Sequence, residues 1–400
     1  MDKGSSSNEW EIDTLLPLPY RIILLLNVGV WLWYVAIQIF QKTRINALSV
    51  LGFDSHISTN VDLPRACRLI VSQVTTVSVL AYTAYALAPA KSQATISMID
   101  WVPLLAIGAI FYFVFFHVST TGFGKRRLRS TASRMLAFGI NPSIRNNEIL
   151  LSDTFTSYAK VILDLLIYVC HLFIGTTCFP VDGKVSLDRT YGSWYGIDSL
   201  IVAYPTAIRL VQCLHEYEAS DNTNLNHLYN AIKYSTSFLP LVAGIMLKGA
   251  ETEEAKKYYF RMWLAMSLVN SCYTFFWDVT HDWNFKFFNY WLKNDRSQGL
   301  LRPVLHFGDR QIYFTAIVVD FILRFIWLTR LLPSDYSSTF MVLTSLYSSE
   351  YGVFVLELLE IGRRFMWMLI RVETEWVKME ATTLVSAGDS SISLLDLTSA

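Results

Sequence analysis

The stretch YRIILLLNVGVWLWYVAIQIF, residues 20–40, decides the fold class of this chain. It is almost entirely apolar, and at about 1.5 Å per residue a helix of this length is about 30 Å long, which matches the hydrocarbon core of a bilayer. The preceding residues 1–13 are polar and lean acidic, unlike the basic start of a cleaved signal peptide. The stretch therefore predicts a first membrane-spanning helix that is retained.

The overall composition indicates the same class of protein. Hydrophobic residues make up 53% of the 400 residues, charged residues only 16%, and the mean hydropathy is +0.35. Soluble globular chains seldom combine these values. The formal net charge is zero, so nothing in the composition favours nucleic acid as a partner. The five cysteines form no C-x-x-C pair, and we interpret them as small buried side chains.

Further apolar runs along the chain are also long enough to cross a bilayer. They lie at residues 66–89, 99–117, 157–179, 196–214, 231–248, 259–277, 311–332 and 339–370. We therefore predict an all-α polytopic membrane protein with about nine transmembrane helices, and eight or ten are alternatives. Because the last run is too long for one crossing, we expect residues 360–372 to continue as a helix beyond the membrane or to tilt strongly.

Lysine and arginine residues near the ends of these runs predict the orientation, because short basic loops stay in the cytosol. The loop around Glu216 is acidic and gives no guidance. With nine spans the basic segments all fall on one side, namely Lys42 to Arg68, Lys125 to Arg134, Lys286 to Arg310, and the pair Arg371 and Lys378. We predict a lumenal N-terminus and a cytosolic C-terminus.

These patterns divide the chain into three parts. Residues 1–19 form a short polar segment, residues 20–378 a transmembrane domain, and residues 379–400 a disordered cytosolic tail rich in serine and threonine. Within the domain we expect peripheral helices and a basic loop over 20–150 and a transport core over 151–378. The basic segment from Lys125 to Phe138 is either an interfacial helix or a solvated loop. Residues 394–397 match a sorting peptide of a kind that often arises by chance.

Charged side chains inside the later runs are the strongest functional signal in the sequence. A charge near the bilayer centre costs about 2.5–3.5 kcal/mol on insertion scales, so each one is a functional hypothesis. Asp320 and Arg324 share a helix face that continues to Trp327, and Glu360 can reach Arg364 at the same spacing. The charges singled out in or near these runs are Asp153, Lys160, Asp164, Arg209, Lys233, Asp278, Asp320, Arg324, Glu357, Glu360, Arg363 and Arg364.

The basic members of this set suit a compact polyanion. Arginine matches the oxygens of phosphate or carboxylate in a planar fork, and lysine adds a point charge, so inorganic phosphate is the best fit. The ligands proposed on this ground are Arg209, Lys233, Arg324, Arg363 and Arg364, and the carboxylates that organise them are Asp153, Asp278 and Asp320. These carboxylates would hold the cations while the site is empty and would keep binding weak enough for release.

Simpler interpretations compete with this one. Lys233, Asp278 and Arg363 lie near the ends of predicted spans, where a charge commonly extends to the interface. Asp320 and Arg324 can neutralise each other, and Trp327 alone is typical of ordinary packing.

Signatures of catalysis and of metal binding are scarce. The chain contains no G-x-x-x-x-G-K-[ST], G-x-S-x-G or H-E-x-x-H sequence. His281, Asp282 and Trp283 suggest a membrane-bound transferase, but no second motif accompanies them. A loop with His215, Glu216, Glu218 and His227 is either a metal site or a solvated acidic surface. We predict that the chain is not an enzyme and uses no cofactor or metal.

Several strings in the chain are familiar as a set and in their order. They resemble the EXS domain of eukaryotic phosphate exporters, from about residue 20 to residue 378. The strings are AIRLVQCLHEY (207–217), LYNAIKYSTSF (228–238), NSCYTFFWDVTHDW (270–283), AIVVDFILRFIW (316–327) and ELLEIGRRFMWMLIRVETE (357–375). Five separated motifs in the right order make this resemblance specific.

The resemblance implies a phosphate pathway lined by the second half of the chain. Asp153 looks like the aspartate that opens the first core helix of the family, Lys233 matches the lysine of N-A-x-K-Y-S, and Asp278 matches the aspartate of C-Y-T-x-x-W-D. Arg324 and Trp327 are similar to the pair in L-R-F-x-W. The remaining matches are the double arginine of R-R-F-x-W, here Arg363 and Arg364, and a further basic position, here Arg209.

Departures from the family pattern refine this expectation. Larger members carry an N-terminal SPX domain that senses inositol pyrophosphates, and about 20 residues precede the first span here, so we expect that regulation to be missing. Where exporters tend to have arginine after QCL, this chain has His215, Glu216 and Glu218, which puts attraction of phosphate from the cytosolic side in doubt. A short member without SPX resembles the fungal ER-retention-defective group, which acts in the Golgi.

Two functions from different classes follow. The first is an inorganic phosphate transporter of the Golgi membrane that returns lumenal phosphate produced by glycosylation to the cytosol and so supports glycosylation and the retention of ER and Golgi residents. The second is a membrane sorting adaptor that recycles Golgi glycosyltransferases without transporting. The expected partners are inorganic phosphate and the lipid bilayer, and further candidates are Golgi glycosyltransferases, coat adaptors and a second copy of the chain as a homodimer. A membrane-bound transferase is a distant third function.

Overall fold

The computed structural model describes residues 12–53, 63–88, 98–117, 124–180, 197–292, 299–332 and 349–386, together with the single residues 96, 187, 346 and 347. Within these ranges the chain forms helices joined by turns and irregular segments, and no strand occurs in them. The prediction of an all-α protein is thereby confirmed for the described part of the chain.

The first helices of the chain lie in the part that the sequence predicts to be peripheral, here called the peripheral region. They are α1 (Leu18–Lys42), α2 (Ala47–Val50), α3 (Leu63–Ala86), α4 (Val102–Phe111) and α5 (Lys125–Leu136). A π-helical turn, Tyr112–Phe116, extends α4. The basic segment, which the sequence left as a helix or a loop, is helical as α5, and its Met135 is buried within the protein.

The following helices carry the charged residues of interest. They are α6 (Arg145–Ser157), α7 (Ala159–Ile174), α8 (Ile197–Ala219), α9 (Leu225–Thr236), α10 (Phe238–Lys248), α11 (Glu253–Trp277), α12 (Phe287–Leu292), α13 (Arg310–Arg324) and α14 (Glu350–Ser386). A π-helical turn, Asp278–Asp282, continues α11, and a 3-10 helix, Ile326–Leu331, follows α13.

Helices occupy all nine predicted spans, but not all of these helices could cross a membrane alone. By length and composition, three in the described part of the chain could do so: α1, α3 and α8. Together, residues 142–157 and α7 make a fourth, bent by 57°. The other predicted spans are shorter, broken or richer in polar residues. The protein is therefore a helical membrane protein, while the count of nine spans and the orientation stay predictions.

Two predicted spans, 231–248 and 311–332, are broken rather than continuous, and this corrects the sequence interpretation. The bend between α6 and α7 lies at Tyr158, at the start of the predicted span 157–179, and α7 then continues without a break to Ile174. The break between α9 and α10 lies at Ser237, where Pro240 has no N–H to donate to the carbonyl of Thr236. The α13 helix ends at Arg324, and the hydroxyl of Ser271 donates a hydrogen bond (3.0 Å) to the carbonyl oxygen of Arg324, which the helix end leaves without a helical partner.

Helix α14 organises the fold because it packs against both regions. It contacts α1 and α2 on one side and α6 and α13 on the other. Helix α1 also packs against α3, α4 and α7 around a core that includes Tyr20, Tyr85 and Phe179. A second core surrounds Trp283 and Trp367, where α11, α13 and α14 meet.

Helix α14 is longer than the last apolar run. Residues 360–372 are helical, as predicted, and α14 continues to Ser386, so residues 379–386 are helical rather than part of the predicted disordered tail. Residues 387–400, with the predicted sorting peptide, lie outside the described residues, as do residues 1–11.

Candidate anion site

Asp278 is the centre of a buried group of ion pairs between α9, α11, α13 and α14. Its side chain is fully buried at the start of the π-helical turn. The Lys233 ammonium donates to Asp278 Oδ1 at 2.7 Å, and the Arg324 guanidinium donates to Oδ2. Arg363 Nη1 lies 3.8 Å from the same Oδ2 atom. One carboxylate therefore joins cations from three different helices.

Asp320 is a second carboxylate that binds two of these cations, Arg324 and Arg363. Arg324 Nε donates to Asp320 Oδ2 at 2.9 Å, and Arg363 Nη1 donates to Oδ1 at 3.1 Å. Asp320 is fully buried in α13, so neither guanidinium could be removed without leaving an uncompensated charge. The predicted pairing of Asp320 with Arg324 is present, but it is one part of a network rather than an isolated neutral pair.

Asp282 belongs to the same network, although the sequence indicated it only as part of an isolated tripeptide. The π-helical turn brings it to the side of Asp278, and Lys233 Nζ lies 3.1 Å from Asp282 Oδ2. Trp367 Nε1 donates to Oδ2 at 3.2 Å, and Arg371 Nη1 lies 3.4 Å from Oδ1. Asp282 follows Asp278 by four residues, a spacing that brings two side chains together on a helix, but the predicted span ends at residue 277. Turns of the π-helical kind are frequent at functional sites.

Asp153 and Arg209 form a second buried group where α6, α8 and α9 meet. Arg209 Nε donates to Asp153 Oδ1 at 2.9 Å, and the Tyr234 hydroxyl donates to the same atom at 2.7 Å. Arg209 Nη1 also donates to Gln212 Oε1 at 2.8 Å. Lys233 and Tyr234 are neighbours on α9 and face the two groups, so this helix joins them.

Glu360 and Arg363 make the most phosphate-like contact of the site. Arg363 grips the carboxylate with two parallel hydrogen bonds, Nε to Oε2 at 2.9 Å and Nη2 to Oε1 at 2.6 Å. The Ser157 hydroxyl donates a third, to Oε1 at 3.0 Å. The sequence predicted that Glu360 reaches Arg364; the structure corrects this, since its hydrogen bonds and ion pair are to Arg363, three residues on. The Glu360 side chain is 39% exposed, whereas that of Arg363 is 6% exposed.

Arg364 differs from the other cations of the site. Its Nε donates to Ser157 Oγ at 3.0 Å and its Nη2 to Thr156 Oγ1 at 3.1 Å, and its guanidinium lies 4.8 Å from the Trp367 ring centre. It forms no ion pair with a carboxylate of the described residues. A cavity of about 30 Å³ adjoins it, lined in part by Ser157 and Thr154.

Trp327 lies at the edge of the site and contacts it through Ser271. Its indole Nε1 donates to Ser271 Oγ at 2.9 Å, and its ring packs edge-on against Trp263 at 5.7 Å. Because Ser271 also binds the Arg324 carbonyl, Trp327 positions the end of α13. Both a structural role and a role as a wall of the pathway are consistent with this geometry.

The structure thus brings the predicted site residues together. It does not support the simpler interpretation in which charges near span ends extend to the membrane interface. Lys233, Asp278 and Arg363 do not extend to an interface, because each is buried with its charge paired inside the bundle. The second simpler interpretation, mutual neutralisation, describes most of the ion pairs in this structure. Arg364 differs, because its side-chain partners in the described residues are the hydroxyl groups of Ser157 and Thr156 and not a carboxylate. Asp164 is also buried, in α7.

Other buried ion pairs escaped the sequence analysis. Arg21 pairs with Asp13 and with Glu350 at 2.8 Å and so joins α1 to the start of α14. Arg302 pairs with Glu373, which also accepts from the Tyr313 hydroxyl. Arg302 lies in a loop and Arg21 at the start of a helix. The free-energy cost of placing a charge near the bilayer centre therefore did not single them out.

His215 and Glu218 are exposed near the end of α8, in agreement with a solvated acidic surface, but Glu216 differs from them. Glu216 is buried and pairs with Arg145 of α6, and His227 Nδ1 lies 3.6 Å from its other oxygen. Glu216 is therefore a contact between helices and not part of a solvated surface. No group of three or more potential metal ligands occurs in the described residues.

The chain is similar to known proteins over most of its length. The profile of the EXS family matches residues 16–377 of the chain. Protein ERD1 homolog 1 of Schizosaccharomyces pombe is 30% identical over 384 residues, covering 92% of this chain and 93% of that protein. Protein ERD1 of Saccharomyces cerevisiae is 26% identical over 404 residues, covering 94% and 98%. Human solute carrier family 53 member 1 is 28% identical over 233 residues, covering 56% of this chain and 32% of the carrier.

Proposed function

This chain belongs to the EXS family, and on that premise we propose that it is an inorganic phosphate transporter of the Golgi membrane that returns phosphate released by glycosylation from the lumen to the cytosol. Transport agrees with the name of its human relative, a solute carrier. The Golgi location rests on the likeness to proteins named ERD1.

The position of the Glu360 carboxylate is the observation that carries the proposal. It accepts two parallel hydrogen bonds from Arg363 and one from Ser157. Arg364 lies beside it and forms no ion pair with a carboxylate in the part of the chain that the structure describes. Phosphate offers oxygens in a similar fork and carries more charge, and charge-assisted hydrogen bonds of this kind are about twice as strong as neutral ones. Phosphate that displaces Glu360 would meet Arg363, Arg364 and two hydroxyl groups at once.

The partial exposure of Glu360 makes such an exchange physically reasonable. Its carboxylate can turn toward water when phosphate arrives, whereas Asp278 and Asp320 stay buried and keep Arg324 and Arg363 in place. When phosphate leaves, Glu360 returns and neutralises Arg363 again. The carboxylate thus acts as a replaceable occupant that limits affinity and permits release.

Labelled phosphate flux in proteoliposomes tests the transport function. The full chain should exchange labelled phosphate across the membrane, and Lys233→Ala and Arg324→Ala should abolish the flux. Arg261→Ala, on an exposed face of α11, is the matched control and should keep the parent rate. Equal flux in Lys233→Ala, Arg324→Ala and the parent would exclude these residues from the pathway.

A sorting adaptor is the second candidate, because mutual neutralisation of most charges is also what a non-transporting bundle would have. The structure sharpens the test that separates the two functions. A chain ending at Ser386 keeps α14 intact while it lacks residues 387–400. In cells without the parent protein, an adaptor would lose the retention of glycosyltransferases in this truncated form and keep it in Arg364→Gln, whereas a transporter gives the reverse result.

A further inference from the structure

An apolar cavity lies away from the charged site, among the first helices of the chain. It measures about 400 Å³, within the roughly 300–1,000 Å³ typical of small-molecule sites, and it lies between α1, α3, α4 and α5. Its lining is mostly apolar and includes Leu26, Val30, Ile70 and Val114. Leu69 and Phe111, both 45% exposed, also line it, so the cavity opens on the apolar outer surface that faces lipid tails.

One end of the cavity is basic. Gly124, Lys125 and Leu128 of the first turns of α5 line it there. Arg126 and Arg129 are exposed on the same turns, and the Arg129 guanidinium lies 5.3 Å from the ring centre of Phe116, next to the lining residue Phe115. The Lys125 ammonium donates to the carbonyl oxygen of Phe113 at 3.0 Å, which holds the basic turn against the end of α4. An apolar slot thus leads to a cationic rim.

The opposite wall of the cavity adjoins the candidate anion site. Gly29, Trp33, Thr154 and Tyr158 line both this cavity and the small cavity beside Arg364. The contact between Gly29 and Tyr158 is very close, since a Cβ atom at position 29 would lie 1.9 Å from the Tyr158 hydroxyl oxygen. Only one layer of side chains therefore separates the two cavities.

From these observations we infer that the cavity binds an anionic glycerophospholipid, with an acyl chain in the apolar slot and the phosphate-bearing headgroup at Arg126 and Arg129. Charge complementarity decides between this occupant and the alternatives. A zwitterionic lipid would gain little from the rim, while each basic residue near a membrane surface attracts anionic lipid by about 1 kcal/mol, or about fivefold. A second copy of the chain would bring the same cationic rim and be repelled by it.

The shared wall gives the lipid a regulatory role, which rests on the proposed transport function. Tyr158 forms the α6–α7 bend, and the preceding Thr156 and Ser157 hold Arg364. An acyl chain against Thr154 and Tyr158 supports this bend and keeps Arg364 in place. Phosphate flux is therefore expected to be faster in membranes with anionic lipid.

Photolabelling of the full chain in nanodiscs tests the lipid site without any need for transport. Phosphatidylserine with a photoreactive acyl chain should label peptides of α1, α3 and α4 several-fold more than the matching phosphatidylcholine probe. Arg126→Gln and Arg129→Gln should each reduce this preference about fivefold. Lys257→Gln, an exposed charge on α11, is the matched control and should leave the preference unchanged.

A second variant tests the slot itself. Ala66→Trp should fill the slot and abolish labelling by both probes, while Val79→Trp, on an exposed face of α3 outside the cavity, should not. If Ala66→Trp does not fold, the exposed arginine variants carry the test. Equal labelling by both lipids, labelling unaffected by Ala66→Trp, or crosslinks between two copies through the slot would each overturn the proposal.

Flux measurements separate this inference from the proposed function. Phosphate flux should be several-fold faster in liposomes that contain phosphatidylserine than in phosphatidylcholine alone, and Arg126→Gln with Arg129→Gln should remove the difference. A chain that labels as expected but moves no phosphate contradicts the transport function only. A chain that moves phosphate at the same rate in both membranes and does not label contradicts the lipid site only.

Discussion

The two regions of the molecule, helices α1 to α5 and helices α6 to α14, differ in the kind of side-chain contact that joins their helices. In the first region, neutral side chains join α1 to α3, since Asn27 donates to Ser78 at 2.9 Å and Trp31 to Thr75 at 2.9 Å. The buried ion pair between Arg21 and Glu350 joins α1 to α14 instead. In the second region, buried carboxylates such as Asp278 and Asp320 join cations from different helices. Neutral contacts between membrane helices contribute about 0.6 kcal/mol on average, whereas a broken buried ion pair costs about 3–5 kcal/mol. Charges kept at such a cost indicate function.

Asp278→Asn should have the largest effect, because three cations lose their shared carboxylate. The free energy of unfolding should fall by about 3–5 kcal/mol, and phosphate flux should be lost. Detergent titration of the purified chain measures the first and proteoliposome flux the second. The matched control is Asp198→Asn, which breaks a pair with Lys248, a side chain that is 68% exposed, and should cost under about 1 kcal/mol. Equal losses in the two variants would contradict the account of the site.

Arg364→Gln should separate binding from stability. This guanidinium has hydroxyl partners and no carboxylate partner in the described residues, so its removal leaves no buried anion unpaired. Hydrogen bonds to a charged group contribute about 1.5–3 kcal/mol, so phosphate flux should fall about 10- to 100-fold with little change in stability. Arg261→Gln should leave both unchanged. Parental flux in Arg364→Gln would remove this residue from the site.

Glu360→Gln should tighten phosphate binding. A neutral amide competes less well than the carboxylate for Arg363, so the affinity for phosphate should rise about tenfold and its release should slow. Equilibrium binding and the half-time of efflux measure the two effects. Glu253→Gln, in an exposed pair with Lys256, should change neither. Weaker binding in Glu360→Gln would show that the carboxylate supports phosphate rather than competing with it.

Asn27→Leu should have the smallest effect and represents the peripheral region. Loss of the hydrogen bond to Ser78 should lower stability by about 0.6 kcal/mol without a change in phosphate flux. Its counterpart in the second region is Ser157→Ala, which removes a donor to Glu360 and an acceptor for Arg364 and should slow the flux. If Asn27→Leu slows transport as much as Ser157→Ala, the division into two regions fails.

Much of this arrangement could be predicted from the sequence because two signals are strong. Hydropathy located the helices, since long apolar runs have few alternatives in a bilayer. Insertion cost selected Lys233, Asp278, Asp320 and Arg324 before their contacts were known. The family resemblance then favours phosphate as the anion.

The parts that could not be predicted depend on the backbone. The π-helical turn that brings Asp282 to Lys233 and the bend at Tyr158 leave no mark on hydropathy. The partner of Glu360 depends on side-chain direction, which favoured Arg363 over Arg364 although both spacings are allowed on a helix. The break at Ser237 was readable, because Pro240 follows it.

Saturable binding of labelled phosphate to the purified chain tests the central claim most directly. The parent should bind phosphate saturably, and arsenate, a similar tetrahedral anion, should displace it while chloride should not. The double variant Arg363→Gln with Arg364→Gln should lose this binding, while Arg261→Gln keeps it. If the parent shows no saturable binding, or if the folded double variant binds phosphate as the parent does, these charges are structural and do not form a phosphate site.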